Sequence, residues 1–276
     1  MALVWGVPAL YLVILVLLWA LQERMAFPAP HAALPDPKKV VGYGEQIELR
    51  MQDGSRLVGW YLPPAPTPNH AISRLSTPFP AVLWFYGNGE TIGAIWPVIR
   101  DFRPPQAALL VVDYPGYGAS GGRTSEAGLY EAGALAYDAL ASRPGVDRKR
   151  IYVYGRSLGS VVATRTAADH EPPPAGLILE SPFTSARGMA ARHYRIFPRF
   201  LVRLQLDNLG TIPRVRCPVL VFHGTADLLV PMDMGRRVAE AARTPVEFVM
   251  IEGAGHNETY DAGGKSYRAK LANFVR

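Results

Sequence analysis

The reading of this chain turns on Ile151-Tyr152-Val153-Tyr154-Gly155-Arg156-Ser157-Leu158-Gly159. A β-branched and aromatic run ends in a Gly-x-Ser-x-Gly signature, and the residues that follow, 160–168, are small and apolar at helical spacing. A strand that breaks into a helix this abruptly puts the serine on a tight, strained turn. Glycine neighbours are needed there for its hydroxyl to stand clear, the arrangement of a nucleophile elbow. The same five-residue pattern recurs at Gly118-Ala119-Ser120-Gly121-Gly122. That copy lies in a Gly-rich loop after Asp113, with no helix directly behind it. It reads as a turn with a buried or capping serine, which leaves Ser157 as the candidate nucleophile.

Outward from the elbow, the chain alternates strand and helix signals. Residues 45–51 and 56–62 alternate polar and apolar about Asp53-Gly54, an antiparallel hairpin. Residues 81–86, 107–112, 176–179, 219–222 and 246–251 are short apolar runs of the kind buried on both faces of a parallel sheet. Leu129, Tyr130, Ala136 and Leu140 give 126–142 one apolar helical face. The predicted class is α/β, with a mostly parallel central sheet flanked by helices and the hairpin added at one edge. One interval, 181–213, breaks the alternation. It carries Arg187, Arg192, Arg195, Arg199 and Arg203 among Met189, Tyr194, Ile196, Phe197, Phe200, Leu201, Leu204 and Leu206, and reads as an inserted helical cap. Its arginines form either a solvated basic face or a surface for an anionic membrane or acidic substrate.

A serine hydroxyl is a weak nucleophile at neutral pH and needs a base, held in the correct tautomer by a third group. Candidates come from other strand ends. The fifth parallel strand leads into His223-Gly224-Thr225-Ala226-Asp227, and the sixth into Glu252-Gly253-Ala254-Gly255-His256. His256 alone among the six histidines lies between a strand and a helix with glycines to let its loop swing, and is the candidate base. Asp227 is favoured as the acid over Glu180, which closes the fourth strand. The chain order Ser157, Asp227, His256 is that of the α/β-hydrolases. For the oxyanion, Leu158 N–H at the helix start is one candidate donor. The turn Gly87-Asn88-Gly89 supplies the other, Asn88 being preferred and Gly89 an alternative. Asp113 and Tyr117 read as loop-stabilising residues.

Composition narrows the remaining possibilities. With 276 residues, 49% hydrophobic and 19% charged, the chain is globular in balance, and its net charge is +6. Cys217 is the only cysteine, so no intrachain disulfide or cysteine-based metal cluster forms; its place before Pro218 and a strand suggests buried packing. No His, Cys or carboxylate group has metal-site spacing, and no cofactor is called for. The positive charge has no nucleic-acid-binding fold or aromatic platform beside it, so no nucleic-acid partner is expected.

Residues 2–21 carry no formal side-chain charge, long enough for the roughly 20 residues that cross a bilayer and longer than a signal-peptide core. The expected organisation is a transmembrane anchor at 1–24, a Pro-rich tether at 25–42 that lifts the domain off the membrane, and a catalytic domain at 43–276. Arg24, Lys38 and Lys39 follow the anchor, which by the positive-inside rule places that domain on the cytoplasmic side.

Taken in order, Tyr86-Gly87-Asn88-Gly89, Asp113-Tyr114-Pro115-Gly116-Tyr117-Gly118, Gly155-Arg156-Ser157-Leu158-Gly159, His223-Gly224-Thr225-Ala226-Asp227 and Gly255-His256-Asn257 resemble the α/β-hydrolase superfamily over residues 43–276. The similarity is greatest to its membrane-anchored "alpha/beta hydrolase domain-containing" branch, whose animal members include protein depalmitoylases. It implies an ester or thioester hydrolase with Ser157, Asp227 and His256 as triad. The substrates implied are small-molecule or lipid esters or acyl-proteins. Tyr86 stands where that family usually has histidine, which implies a reshaped acyl pocket. Two other functions use the same features: a membrane-tethered interaction scaffold that keeps the fold without the chemistry, and an acyltransferase in which an alcohol replaces water. Oligomeric state is not encoded in any of these motifs.

Overall fold

The computed structural model describes residues 2–66, 78–194 and 198–276, with side chains from Pro8 onward. Arg195, Ile196 and Phe197 of the expected cap, and 67–77 of the Pro-rich connection, lie outside the described residues. Eight strands form one sheet: β1 (Glu45–Arg50), β2 (Arg56–Leu62), β3 (Phe79–Phe85), β4 (Ala108–Val112), β5 (Val146–Arg156), β6 (Gly176–Glu180), β7 (Val219–Gly224) and β8 (Val246–Ile251). Their order is β1-β2-β4-β3-β5-β6-β7-β8. The β1–β2 and β2–β4 pairs are antiparallel and the rest parallel, which puts the expected hairpin at one edge.

The apolar runs become central strands because crossover helices cover both sheet faces. β4 and β6 are buried along their whole length, and β3 from Pro80 onward. Strand β5 is longer than the apolar run that marks it: after the buried Val146, the polar residues 147–150 are partly or fully exposed, and burial resumes over Ile151–Arg156. The strand order reverses around β3, with β4 on one side and β5 on the other. In open α/β sheets a crevice opens at such a switch point, beyond the carboxyl ends of the strands.

The helices are α1 (Ala2–Ala26), α2 (Pro37–Val40), α3 (Ile92–Phe102), α4 (Glu126–Ala141), α5 (Leu158–Asp169), α6 (Ala186–His193), α7 (Asn208–Thr211), α8 (Met232–Ala241) and α9 (Thr259–Phe274). Helix α3 carries Pro97 and has no counterpart in the sequence reading. Its signal is Ile92, Ile95, Ile99 and Phe102 at helical spacing behind a Thr91 cap, whose hydroxyl accepts from Ala94 N at 3.3 Å.

Two expectations change. Among the described residues the cap is helical only in α6 and short turns; 202–206 has no helix, buries Val202, Leu204 and Leu206, and exposes Arg203 and Gln205. The tether is not free either. Phe27 is buried, Gly118 N donates to Pro30 O at 2.7 Å, Ala32 N donates to Gly118 O at 3.1 Å, and the Trp60 indole donates to Pro35 O at 3.0 Å. Prolines predispose this segment to an extended path, but the sheet edge and loop supply backbone partners that hold it as a strap. Helix α1 contains a stretch, Pro8–Ala26, of mean hydropathy 1.6, long and apolar enough to cross a membrane.

Candidate active site

Ser157 sits between β5 and α5 with φ +50° and ψ −115°, a backbone conformation that side chains other than glycine rarely adopt. Its N–H donates to Glu180 O at 2.9 Å, which ties the turn to the neighbouring strand. The flanking glycines are required by close approach. A Cβ on Gly155 would lie 2.2 Å from Gly159 O, and one on Gly159 would lie 2.3 Å from Phe85 O. The helix can therefore begin against β3 and β5 only if both side chains are absent.

The structure brings the three expected residues together. His256, from the loop after β8, has Nδ1 at 2.7 Å from Asp227 Oδ2 and Nε2 at 3.1 Å from Ser157 Oγ. Because a carboxylate only accepts, Nδ1 carries the proton, and the Nε2 lone pair faces the serine hydroxyl. Asp227 Oδ1 accepts from Leu229 N at 3.0 Å and Val230 N at 2.8 Å. Burial opposes its charge, but His256 and the Val230 N–H outweigh that and hold its carboxyl below the usual range. The two loops are also laced together: Ala226 N donates to Ala254 O at 3.0 Å, and a Cβ on Gly224 would come within 2.3 Å of that same oxygen.

Glu180, the rival acid, is fully buried and faces elsewhere, accepting from Tyr154, Thr259 and Tyr267 hydroxyls, with its Oε1 3.4 Å from Arg156 Nε. Arg156 is a residue whose role the sequence motif hides, since its position in Gly-x-Ser-x-Gly is the variable one. It pairs with Glu90 at 2.7 Å, donates to His256 O at 3.1 Å and bonds Asn257. Glu90 in turn accepts from Gly87 N at 2.7 Å. One buried guanidinium thus links the elbow, the turn after β3 and the histidine loop. Burial works against its charge, but Tyr260, Glu180 and Glu90 more than offset this and raise its pKa.

Asn88 and Leu158 both line the cavity above Ser157. The Asn88 side chain is occupied, donating to Ala26 O at 2.8 Å and accepting from Tyr117 OH at 2.6 Å, so its contribution to an oxyanion site would be its backbone N–H. Tyr86 does not line the pocket. It is fully buried, and its hydroxyl donates to Asp113 Oδ1 at 2.8 Å. Asp113 also accepts from Ile92 N and Ala119 N, which makes it the anchor of this loop. The second serine motif is structural: Ser120 is buried, its Oγ accepting from Val58 N at 2.9 Å and donating to Asp113 O at 2.8 Å. Cys217 is buried, which pushes its thiol up to about 12.

The cavity measures about 360 Å³, at the lower end of the roughly 300–1,000 Å³ typical of ligand sites. Its walls are Leu158 and Phe183 from the domain, Met189, Leu204 and Leu206 from the cap, and Leu18 and Met25 from α1. Among the described residues no charged one lines it, and the Asn88 and Gln22 amides are already hydrogen-bonded to protein.

Known proteins agree with this architecture. The family model described as serine aminopeptidase, S33, matches residues 76–212. An uncharacterized protein of Mycobacterium tuberculosis is 34% identical over 265 residues, covering 95% of this chain and 90% of that one. Human alpha/beta hydrolase domain-containing protein 17B is 36% identical over 166 residues, 59% of this chain and about half, 54%, of its own length. Among solved structures, the Pyrococcus furiosus esterase Pf2001 superposes with a TM-score of 0.70 at 18% identity, covering 90% of this chain and 97% of the other. The chain belongs to the α/β-hydrolase superfamily.

Proposed function

We propose that this protein is a membrane-anchored serine hydrolase that cleaves carboxylic esters or thioesters with an apolar acyl group, including those of lipids or acylated proteins. The observation that carries the reading is the unbroken chain from Asp227 to His256 to Ser157, at 2.7 and 3.1 Å, where Ser157 lines a mostly apolar cavity. Ser157 Oγ attacks the carbonyl carbon as its proton passes to His256 Nε2. Asp227 keeps the imidazole in the right tautomer and offsets the charge it gains. The N–H groups of Leu158 and Asn88 receive the developing oxyanion, each worth about 10²–10³ in rate. Collapse breaks the bond to the alcohol or thiol, which leaves with the proton from His256. Water, activated by the same histidine, then releases the acid from Ser157.

The apolar α1 segment supports the membrane address. Arg24, Lys38 and Lys39 behind it favour a cytoplasmic domain. A fluorophosphonate probe tests the chemistry: it should label the wild-type protein and not Ser157→Ala. A folded wild-type sample that takes no label would sink the proposal.

A further inference from the structure

The cavity shares a wall with the apolar helix. Along α1 from Pro8 the less exposed residues are Leu15, Leu18, Gln22, Glu23 and Ala26, which share one side of the helix, while Val13, Val16 and Leu17 stay exposed. That inner face is fastened to the cap. Gln22 Nε2 donates to Leu201 O at 2.7 Å, Arg203 N donates to Gln22 Oε1 at 2.8 Å, and the Arg203 guanidinium lies 4.7 Å from the Trp19 ring centre. At the helix end, Asn88 beside the nucleophile holds Ala26 O. Leu18, Gln22 and Met25 therefore line the same cavity as Ser157.

We propose that α1 is part of the substrate site as well as an anchor: a fatty-acyl ester seated in the leaflet slides its chain along Leu18 and Met25 to Ser157, without leaving the bilayer for water. Depth supports this. Glu23 is the first charged residue of the segment and marks the headgroup level; Leu18, five residues earlier, lies about 7–8 Å deeper at 1.5 Å per residue. Interfacial elements penetrate about 5–10 Å, so the cavity opens at the boundary between headgroups and acyl chains. Exposed apolar and basic residues stand close to it in the chain. Tyr194 of the cavity wall is exposed, Phe200 is 80% exposed next to Leu201, whose carbonyl holds Gln22, Leu228 is 82% exposed next to Leu229 of the wall, and Arg192 and Arg199 are exposed on the same cap. The Gln22 and Asn88 amides on the wall already have protein partners, and the rest of the wall is mostly apolar, so the cavity favours a plain hydrocarbon chain.

This rests on Ser157 being the nucleophile, and the test separates the two claims. Full-length protein in phosphatidylcholine vesicles is assayed on p-nitrophenyl butyrate and p-nitrophenyl palmitate, as wild type, Leu18→Trp and, on the outer face of the helix, Val16→Trp. Leu18→Trp should lower the palmitate-to-butyrate ratio of kcat/KM by about tenfold or more, the discrimination that one methylene's worth of pocket supplies. Val16→Trp should leave the ratio at the wild-type value. An unchanged ratio in Leu18→Trp, with butyrate still turned over, overturns the role of α1 and leaves the hydrolase reading standing; no turnover of either ester by wild type overturns both. A measurement on the unmodified chain stands beside it. A long-chain alkyl fluorophosphonate carrying a terminal diazirine, once attached and irradiated, should cross-link to the tryptic peptide 1–24. Cross-links confined to peptides of the cap and core contradict the proposal.

Discussion

The elbow and the α1–cap wall face each other across one cavity and are built by opposite means. Around Ser157 every neighbour is prescribed: two glycines stand where a Cβ would collide with backbone, β5 and β6 fix the turn, and a buried arginine joins three loops. The opposite wall has no buried residue in α6, a segment without regular structure at 202–206, and a helix attached through a few hydrogen bonds made by the Gln22 and Asn88 side chains to backbone. Chemistry needs reacting atoms held within fractions of an ångström. Enclosing a hydrocarbon chain needs only apolar surface of about the right shape, so the wall is free to be loosely built. Errors in the first region should abolish turnover, and errors in the second should change which substrate is turned over.

The largest effect is expected on the rigid side. Asp227→Asn keeps the shape but replaces the acceptor that fixes the His256 tautomer, and kcat should fall by roughly 10⁴ with the fold intact. Circular dichroism and single-turnover rates check it. A loss below tenfold would place the base's orientation elsewhere.

Arg156→Lys comes next. Lysine keeps the charge, so Glu180 and Glu90 stay compensated, but a point ammonium cannot serve Glu90, His256 O and Asn257 at once. We expect kcat lower by about 10–100-fold, the cost of a displacement of about 1 Å, with KM little changed. Equal loss in KM would assign Arg156 to the substrate pocket.

A stability measurement probes the same loops more gently. His223 is fully buried, its Nε2–H donates to Val230 O at 2.8 Å, and burial pushes its pKa below the ordinary value. The unfolded chain then takes up a proton that the folded one refuses, so stability falls as pH drops below about 6.5. Asp227 works in a separate window. Its lowered pKa stabilises the fold above about 3.9, and that contribution is lost only as pH falls below it. The melting temperature should therefore decline from pH 7 to 5, and His223→Gln should flatten the decline.

The smallest effect lies on the wall. Phe200→Ser removes an exposed ring and should shift the stability of the vesicle-embedded protein by no more than about 0.5 kcal/mol. Denaturant titration of wild type and variant in phosphatidylcholine vesicles checks it.

What the sequence reveals follows the same division. The elbow is legible because sterics leave few alternatives: glycine at 155 and 159, and a strand and helix meeting at one serine. Asp227 and His256 follow from being placed after strand ends of one sheet edge. Arg156 is not legible, because its meaning depends on Glu90 and Asn257, 66 and 101 residues away. The strap is missed for a related reason. Prolines signal extension, but not that Gly118 and Trp60 wait to receive it. Tyr86 misleads in the other direction, since a residue in the oxyanion motif turns out to point at Asp113, away from the pocket. The cap's composition suggests helix, and its alternating apolar residues at 202, 204 and 206 carried the better signal.

The central claim is that Ser157, and no other serine, carries the acyl group. Acid quenching during turnover of a p-nitrophenyl ester, followed by trypsin and mass spectrometry, tests it. Cleavage after Arg156 and Arg165 isolates residues 157–165, which contain Ser157 and Ser160. An acyl mass is expected on this peptide, fragmenting to Ser157 and absent from Ser157→Ala. An acyl group on Ser120 or Ser160, or turnover that persists in Ser157→Ala, would contradict it.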